Sequence, residues 1–335
     1  EVIDVQGQNK FIMKVSFAAA GTAGHIEPAL AVAHWLTKHP LANLPVECDF
    51  IGTSASLDSA LLKESGFVIN PVIKAPFPRR PTLGSLLWPY KFYISIRQIN
   101  QILAQTDVVV GFGGYVCAPT YLVAKFKRIP IVIHEANVKP GMANNLGRRL
   151  GAILTIAFES TKDYSMKWKE AQCVGMPLRD SVKALASISQ ADRVRIRQEK
   201  CNQWGFDPER PIILVFGGSQ GSRTINSVIA QILSETERIG IQIVHALGRG
   251  NELPARSKNY LPLAYIADMP ATMVASDFAI TRGGAVTCAE LGVLKTFGVI
   301  VPLSVGNGEQ RFNAEELHKI AGAVIVEEEA FTSQM

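Results

Sequence analysis

Short β-branched runs alternate with helical stretches along the whole chain, and this alternation restricts the fold to βα units with parallel sheets. Lys14–Ala18, Val46–Ile51, Asp107–Val110 and Pro130–His134 read as strands in the first half. Ile212–Phe216, Ile241–His245, Phe278–Thr281 and Val299–Val301 do so in the second. Between the halves, "CVGMPLRDSV" is a Gly/Pro break, followed by the polar, helical stretch Ser189–Gln203. The linker is therefore expected near Phe158–Pro177. A chain of 335 residues exceeds what one core usually supports. Two α/β domains are expected, over residues 12–165 and 175–335.

The halves echo one another. Each has an early strand followed by a Gly-rich turn ("AAAGTAGH", "FGGSQGS") and a later strand followed by another ("GFGGYV", "TRGGAVT"). Ligands of open α/β sheets sit beyond the carboxyl ends of strands, so a site between two facing domains is expected. No G-x-G-x-x-G or Walker pattern occurs, which argues against a dinucleotide or P-loop site.

Each turn has a chemical reading and a plain one. Gly21 and Gly24 allow backbone N–H groups to approach an anion at a helix start, or they only reverse the chain. Glu27-Pro28 suits a helix beginning, with Pro near its first position. His25, beside that helix N-terminus, is held toward its neutral form and suits a general base, or its ring packs the turn. His134 precedes Glu135-Ala136-Asn137 at another strand end, whereas His34, His39, His245 and His318 read as surface or core. Ser219 donates to a phosphate or caps the next helix. Glu290 matches the dipole of a helix it opens, or accepts from two ribose hydroxyls.

Composition narrows the class. Hydrophobic residues make up 47% of a chain whose apolar runs, such as Phe297–Leu303, are too short to span a bilayer. Five scattered cysteines without a C-x-x-C pair suit reduced thiols, not a disulfide framework or zinc site. No basic-then-apolar export signal is present at the N-terminus, so none is expected. The net charge of +5 is carried by the first half, since Lys/Arg and Asp/Glu balance after Ser160. A basic half suits an anionic partner. Nucleic-acid binding would explain that half but none of the paired loops, and is not expected.

Seven blocks then stand in one order: "GTAGHIEPALAVA", "GFGGYVCAPTYLVAK", "PIVIHEANVKPGMANNL", "VGMPLR", "VFGGSQGSRTIN", "DMPATMVASDFAITRGGAVTCAEL" and "GNGEQRFNAEEL". From Lys14 to Glu328 the chain resembles the MurG family. The resemblance implies a GT-B glycosyltransferase fold, two Rossmann-like domains with parallel sheets facing an interdomain cleft. It implies inverting transfer of N-acetylglucosamine from UDP to the 4-hydroxyl of lipid-linked N-acetylmuramyl-pentapeptide, in peptidoglycan synthesis. The acceptor is undecaprenyl-pyrophosphoryl-muramyl-pentapeptide. No cofactor or metal is implied, and the D-x-D triplet of metal-bridged transferases is absent.

By the same resemblance, Thr22, Ala23 and Gly24 lie beside a diphosphate or pyrophosphate, and His25 or Glu135 deprotonates the acceptor. Asn137 contacts the donor sugar, and Arg179 and Ser219 hold the donor phosphates. Ile266 borders uracil. Ala285, Val286, Thr287, Cys288, Ala289 and Glu290 wrap the nucleotide, Glu290 taking the ribose, while Gln310 reaches sugar hydroxyls. Three positions depart from the family pattern: Ala20 and Ala23 stand where glycine is usual, and Glu309 replaces the first of two glutamines. Alanine at the first two demands φ below zero or strain. Relatives continue past Met335 through further helices, which this chain is expected to lack.

A lipid-borne acceptor places the enzyme peripherally at the cytoplasmic face of the bacterial plasma membrane. "APFPRRPTLGSLLWPYKFYISIRQ" mixes Arg79, Arg80, Lys91 and Arg97 with Phe77, Leu83, Leu86, Leu87, Trp88 and Tyr90, which suits an anionic interface. An amphipathic helix with core aromatics would read the same. Two other functions share the donor loops: a UDP-N-acetylglucosamine 2-epimerase and a non-catalytic UDP-sugar binder.

Overall fold

The computed structural model describes residues 12–21, 23–41, 43–52, 62, 65–75, 87–304 and 308–334. Thr22, Phe77, Arg79, Arg80, Leu83, Leu86 and Met335 lie outside them. The chain divides into two compact units, residues 1–179 and 180–335.

The N-terminal unit carries β1 (Met13–Ala19), β2 (Val46–Gly52), β3 (Val68–Pro71), β4 (Val108–Gly113), β5 (Ile131–Glu135), β6 (Ile153–Ile156) and β7 (Gln172–Cys173). Their order is β3-β2-β1-β4-β5-β6-β7, and every pairing is parallel. The helices are α1 (Ala23–Lys38), α2 (Trp88–Ile102), α3 (Cys117–Phe126), α4 (Met142–Arg149) and α5 (Ser160–Tyr164). One core cluster centres on Phe17, Phe50 and Phe112, with Ile26 and Ala29 of α1. Another gathers Ile99, Tyr121, Ile133 and Trp168. Burial of both sheet faces is why these strands read as continuous apolar runs.

The C-terminal unit repeats the plan with β8 (Ile212–Phe216), β9 (Gln242–Ala246), β10 (Tyr260–Leu263), β11 (Phe278–Thr281), β12 (Phe297–Ile300) and β13 (Val324–Ile325). Their order is β10-β9-β8-β11-β12-β13, again parallel throughout. Its helices are α6 (Asp180–Ala186), α7 (Gln190–Trp204), α8 (Arg223–Arg238), α9 (Met269–Ala275), α10 (Ala285–Leu294) and α11 (Glu309–Ala321). Both sheets follow the 3-2-1-4-5-6 order of the doubly wound fold, whose switch point lies between the first and fourth strands. β1 pairs with β4, and β8 with β11. The four glycine turns therefore stand two by two at the two switch points.

Glu328 bolts the second sheet's loops together. Its carboxylate accepts from Thr224 Oγ1 at 2.7 Å and Ser304 Oγ at 2.9 Å, and it pairs with Arg282. Arg282 also donates to the Val301 carbonyl at 3.1 Å. Burial alone would raise this carboxyl, but the hydrogen bonds from Arg282, Thr224 and Ser304, with the Arg282 charge, pull it down to about 2. A carboxyl lowered by folding contributes stability above its unfolded value near 4.5 and loses it as pH falls toward 2. At neutral pH this contribution is fully present. Glu328→Gln should accordingly lower the melting temperature at pH 7, and the gap from wild type should close between pH 4.5 and 2. A gap that persists unchanged at pH 2 would contradict this.

Candidate functional site

The first switch point is built on close backbone approach. A side chain at Gly114 would collide with the Ala20 carbonyl, and Ala20 N–H donates to the Gly113 carbonyl at 3.5 Å. The left-handed turn is taken by Gly21, at φ +109°, while Ala20 is fully buried and absent from the positive-φ residues. Ala23 starts α1. The two departures from glycine are thus accommodated without strain.

His25 is the third residue of α1, and its ring lies against Gly113, where an added Cβ would sit 3.0 Å from Nε2. The helix starts earlier than its Glu27-Pro28 signal suggests. Pro28 is its sixth residue, where the missing N–H leaves one helical bond unmade. Hydrophobic packing of Ile26 and Ala29, both fully buried, outweighs that loss.

Glu135, at the end of β5, is 2% exposed and organises the next loop. Oε1 accepts from Asn137 N–H at 2.9 Å and Asn137 Nδ2 at 3.2 Å. Oε2 accepts from Gly141 N–H and Asn144 Nδ2, both at 2.9 Å. Asn144 Oδ1 in turn accepts from Tyr121 hydroxyl at 3.0 Å. This relay accounts for Asn137's position, and Asn144 and Tyr121 were not singled out by sequence because nothing in their local spacing marks a long-range partner. His134 points inward instead of into the loop. Its Nε2 lies 2.9 Å from the Gly175 carbonyl, and burial lowers its pKa, partly countered by that contact. Arg179 lies 3.6 Å from Glu27 of α1, so any phosphate it holds shares it with that carboxylate.

At the second switch point, Gly217 and Gly221 are packed so tightly that a Cβ would strike Ser222 and the Leu247 carbonyl, respectively. Gly218, at φ +91°, faces open space. The cap of α8 is Ser222, whose Oγ accepts from Ile225 N–H at 3.3 Å. Ser219 is therefore released from the capping role. Next door, Gly283 is clamped through both backbone groups: its N–H donates to Gln310 Oε1 at 3.2 Å, and its carbonyl accepts from Asn313 Nδ2 at 3.2 Å. Gln310 Oε1 also accepts from Leu303 N–H at 3.0 Å. Gln310 thus stands beside the turn that leads into α10.

Helix α10 begins at Ala285 with no side-chain cap, leaving its first N–H groups for an anion. Ala285, Val286, Cys288 and Glu290 are buried, while Thr287 and Ala289 are half-exposed. Burial pushes the Cys288 thiol up to about 12. Glu290 is the sixth helical residue and 5% exposed. It does not open the helix, and the macrodipole fades beyond the first turn, so dipole matching does not account for it. Ile266, 6% exposed, lies between β10 and α9.

Two parallel doubly wound units, each with paired glycine turns at its switch point, define an α/β architecture of the nucleotide-binding kind. Family models agree: the glycosyltransferase family 28 N-terminal domain matches residues 15–151, and its C-terminal domain matches residues 212–335. The chain is 40% identical over 329 residues to the UDP-N-acetylglucosamine–N-acetylmuramyl-(pentapeptide) pyrophosphoryl-undecaprenol N-acetylglucosamine transferase of Streptomyces avermitilis, covering 96% of this chain and 87% of that protein. A Corynebacterium efficiens protein of the same name is 39% identical, covering 96% and 86%. The crystal structure of Acinetobacter baumannii MurG superposes with a TM-score of 0.70 at 26% identity, covering 96% and 88%. A UDP-GlcNAc 2-epimerase from Methanocaldococcus jannaschii shares the fold at TM-score 0.61 and 15% identity. The chain belongs to glycosyltransferase family 28, within the MurG family, and is an N-acetylglucosaminyltransferase of GT-B fold.

Proposed function

We propose that this enzyme transfers N-acetylglucosamine from UDP to the 4-hydroxyl of undecaprenyl-pyrophosphoryl-N-acetylmuramyl-pentapeptide, converting lipid I to lipid II with inversion. The observation that carries this reading is the placement of all four glycine turns at the two switch points, in a chain of this family. The C-terminal unit binds the donor: Ser219 and the start of α10 hold the diphosphate, Ile266 borders uracil, Glu290 takes the ribose, and Gln310 reaches the sugar. The N-terminal unit binds the acceptor, with Thr22, Ala23 and Gly24 at its pyrophosphate and Asn137 toward the donor sugar.

The acceptor oxygen forms its bond to the anomeric carbon as the bond to the UDP phosphate oxygen breaks. The hydroxyl proton passes to the His25 ring, and the electron pair leaves with UDP. Glu135 is the poorer base, because four N–H donors already occupy its oxygens. Its role is to hold Asn137. Positive potential for the leaving group comes from helix N–H groups, Ser219 and Arg179. Acceptor-dependent release of UDP tests the reaction: UDP freed equally without acceptor would favour hydrolysis or epimerisation.

The enzyme works peripherally at the anionic cytoplasmic face of the plasma membrane. Among the described residues no helix is long and apolar enough to cross a bilayer. On α2 and its leading turn, Leu87, Tyr90 and Tyr93 are 58%, 65% and 56% exposed, and Lys91 and Arg97 are exposed beside them. Trp88 instead packs inward: its Nε1–H donates to the Ala75 carbonyl at 3.3 Å, and it stacks on Phe92. On α3, Phe126 is 87% exposed beside Lys125, Lys127 and Arg128. Lys91→Gln with Arg97→Gln should weaken attachment to anionic vesicles by about 1 kcal/mol per residue. Activity on a water-soluble acceptor should persist. Loss of both together would assign this face to the fold.

A further inference from the structure

After β9 the chain reads Leu247-Gly248-Arg249-Gly250-Asn251, and this loop is locked onto the Ser219 turn. Arg249 donates its backbone N–H to the Ser219 carbonyl at 3.2 Å. Asn251 Nδ2 donates to the carbonyls of Gln220 at 3.1 Å and Leu247 at 2.9 Å. The backbones lie so close that a side chain at Gly248 would collide with Gln220 and Gly221. Gly248 adopts φ +97° to allow it, a conformation that favours glycine. The base of the Arg249 side chain is therefore fixed relative to Ser219.

The other end of Arg249 is fixed too. Its guanidinium lies 4.5 Å from the centroid of the Tyr265 ring, and Tyr265 precedes Ile266. Backbone and side chain together connect the phosphate turn to the base edge. Arg282, in the neighbouring turn, has its charge paired with Glu328. Arg249 is exposed, and among the described residues no carboxylate pairs with it. A planar fork held on an aromatic face, with its charge unneutralised, suits bidentate recognition of phosphate.

We propose that Arg249 is a further donor-binding residue, whose guanidinium contacts the diphosphate of UDP and stabilises it as the leaving group. This rests on the reading that the C-terminal unit binds the UDP-sugar. Calorimetric titration of the full chain with UDP and with uridine tests it. Wild type binds UDP; failure to do so would overturn the donor reading itself, and this inference with it. Arg249→Ala weakens UDP binding about tenfold or more and alters uridine binding by less than about twofold, within the spread of an uncontacted group. Arg249→Lys, which keeps the charge and loses the fork, falls between. Both variants keep the wild-type melting temperature, because the side chain is exposed. If wild type binds UDP and Arg249→Ala binds it equally well, the assignment fails while the donor reading stands. Equal losses for UDP and uridine also overturn it, because they would limit Arg249 to supporting Tyr265.

Discussion

His25→Ala lowers turnover by about 10²–10⁴-fold, the usual worth of a positioned general base, while UDP binding changes little. The separation follows from where the side chain stands. His25 belongs to the N-terminal unit, in the first turn of α1, whereas the proposed UDP contacts are in the C-terminal unit. Its ring is seated closely on Gly113, where an added Cβ would crowd it at 3.0 Å. Pre-steady-state measurement of transfer, alongside UDP titration, checks the split. A variant that folds and turns over at the wild-type rate would remove His25 from the chemistry. Parallel losses in stability and UDP affinity would make it a packing residue.

The eight strands expected from β-branched runs all exist, with ends displaced by no more than a few residues. They are the strands flanked by helices, whose continuous apolar character is hard to miss. Five strands among the described residues were not foreseen, including β6, a four-residue strand inside the first sheet. β3 and β10 form sheet edges, and each contains a proline, Pro71 and Pro262, which disguises a strand. β7 and β13 have two residues each, too few to show a period. The glycine turns were legible because a strand followed by glycines has few other uses. The relay Tyr121–Asn144–Glu135 and the Glu328 hub were not, since their partners lie far apart in sequence. Arg249 could have been found: Gly248-Arg249-Gly250 follows a strand as the other turns do. The Pro28 signal misplaced a helix start because packing of Ile26 and Ala29 overrides local preference.

Glu290→Ala should weaken UDP binding by about tenfold or more, since a charge-assisted hydrogen bond contributes about 1.5–3 kcal/mol. Dipole matching does not account for this carboxylate. It is buried in the second turn of α10, beyond the reach of the helix N-terminal field, and an interior carboxylate is costly unless hydrogen-bonded. Glu290→Gln keeps the size and one acceptor and should lose less. A 2′-deoxyribose donor separates ligand contact from a structural role. It should bind wild type poorly, yet lose little more in Glu290→Ala, because both changes delete one contact. Additive losses would mean that Glu290 does not touch that hydroxyl.

Joining two sugars on a lipid carrier is the reaction proposed for this chain. It is tested most directly by incubating the enzyme with UDP-N-acetylglucosamine and a short-chain lipid-linked N-acetylmuramyl-pentapeptide, then determining the product's linkage by NMR. The expected product is a lipid-linked disaccharide joined through the muramyl 4-hydroxyl with inverted, β configuration, one UDP being released per disaccharide. Free epimerised hexosamine with UDP, or an unmodified acceptor in the presence of bound donor, would contradict it.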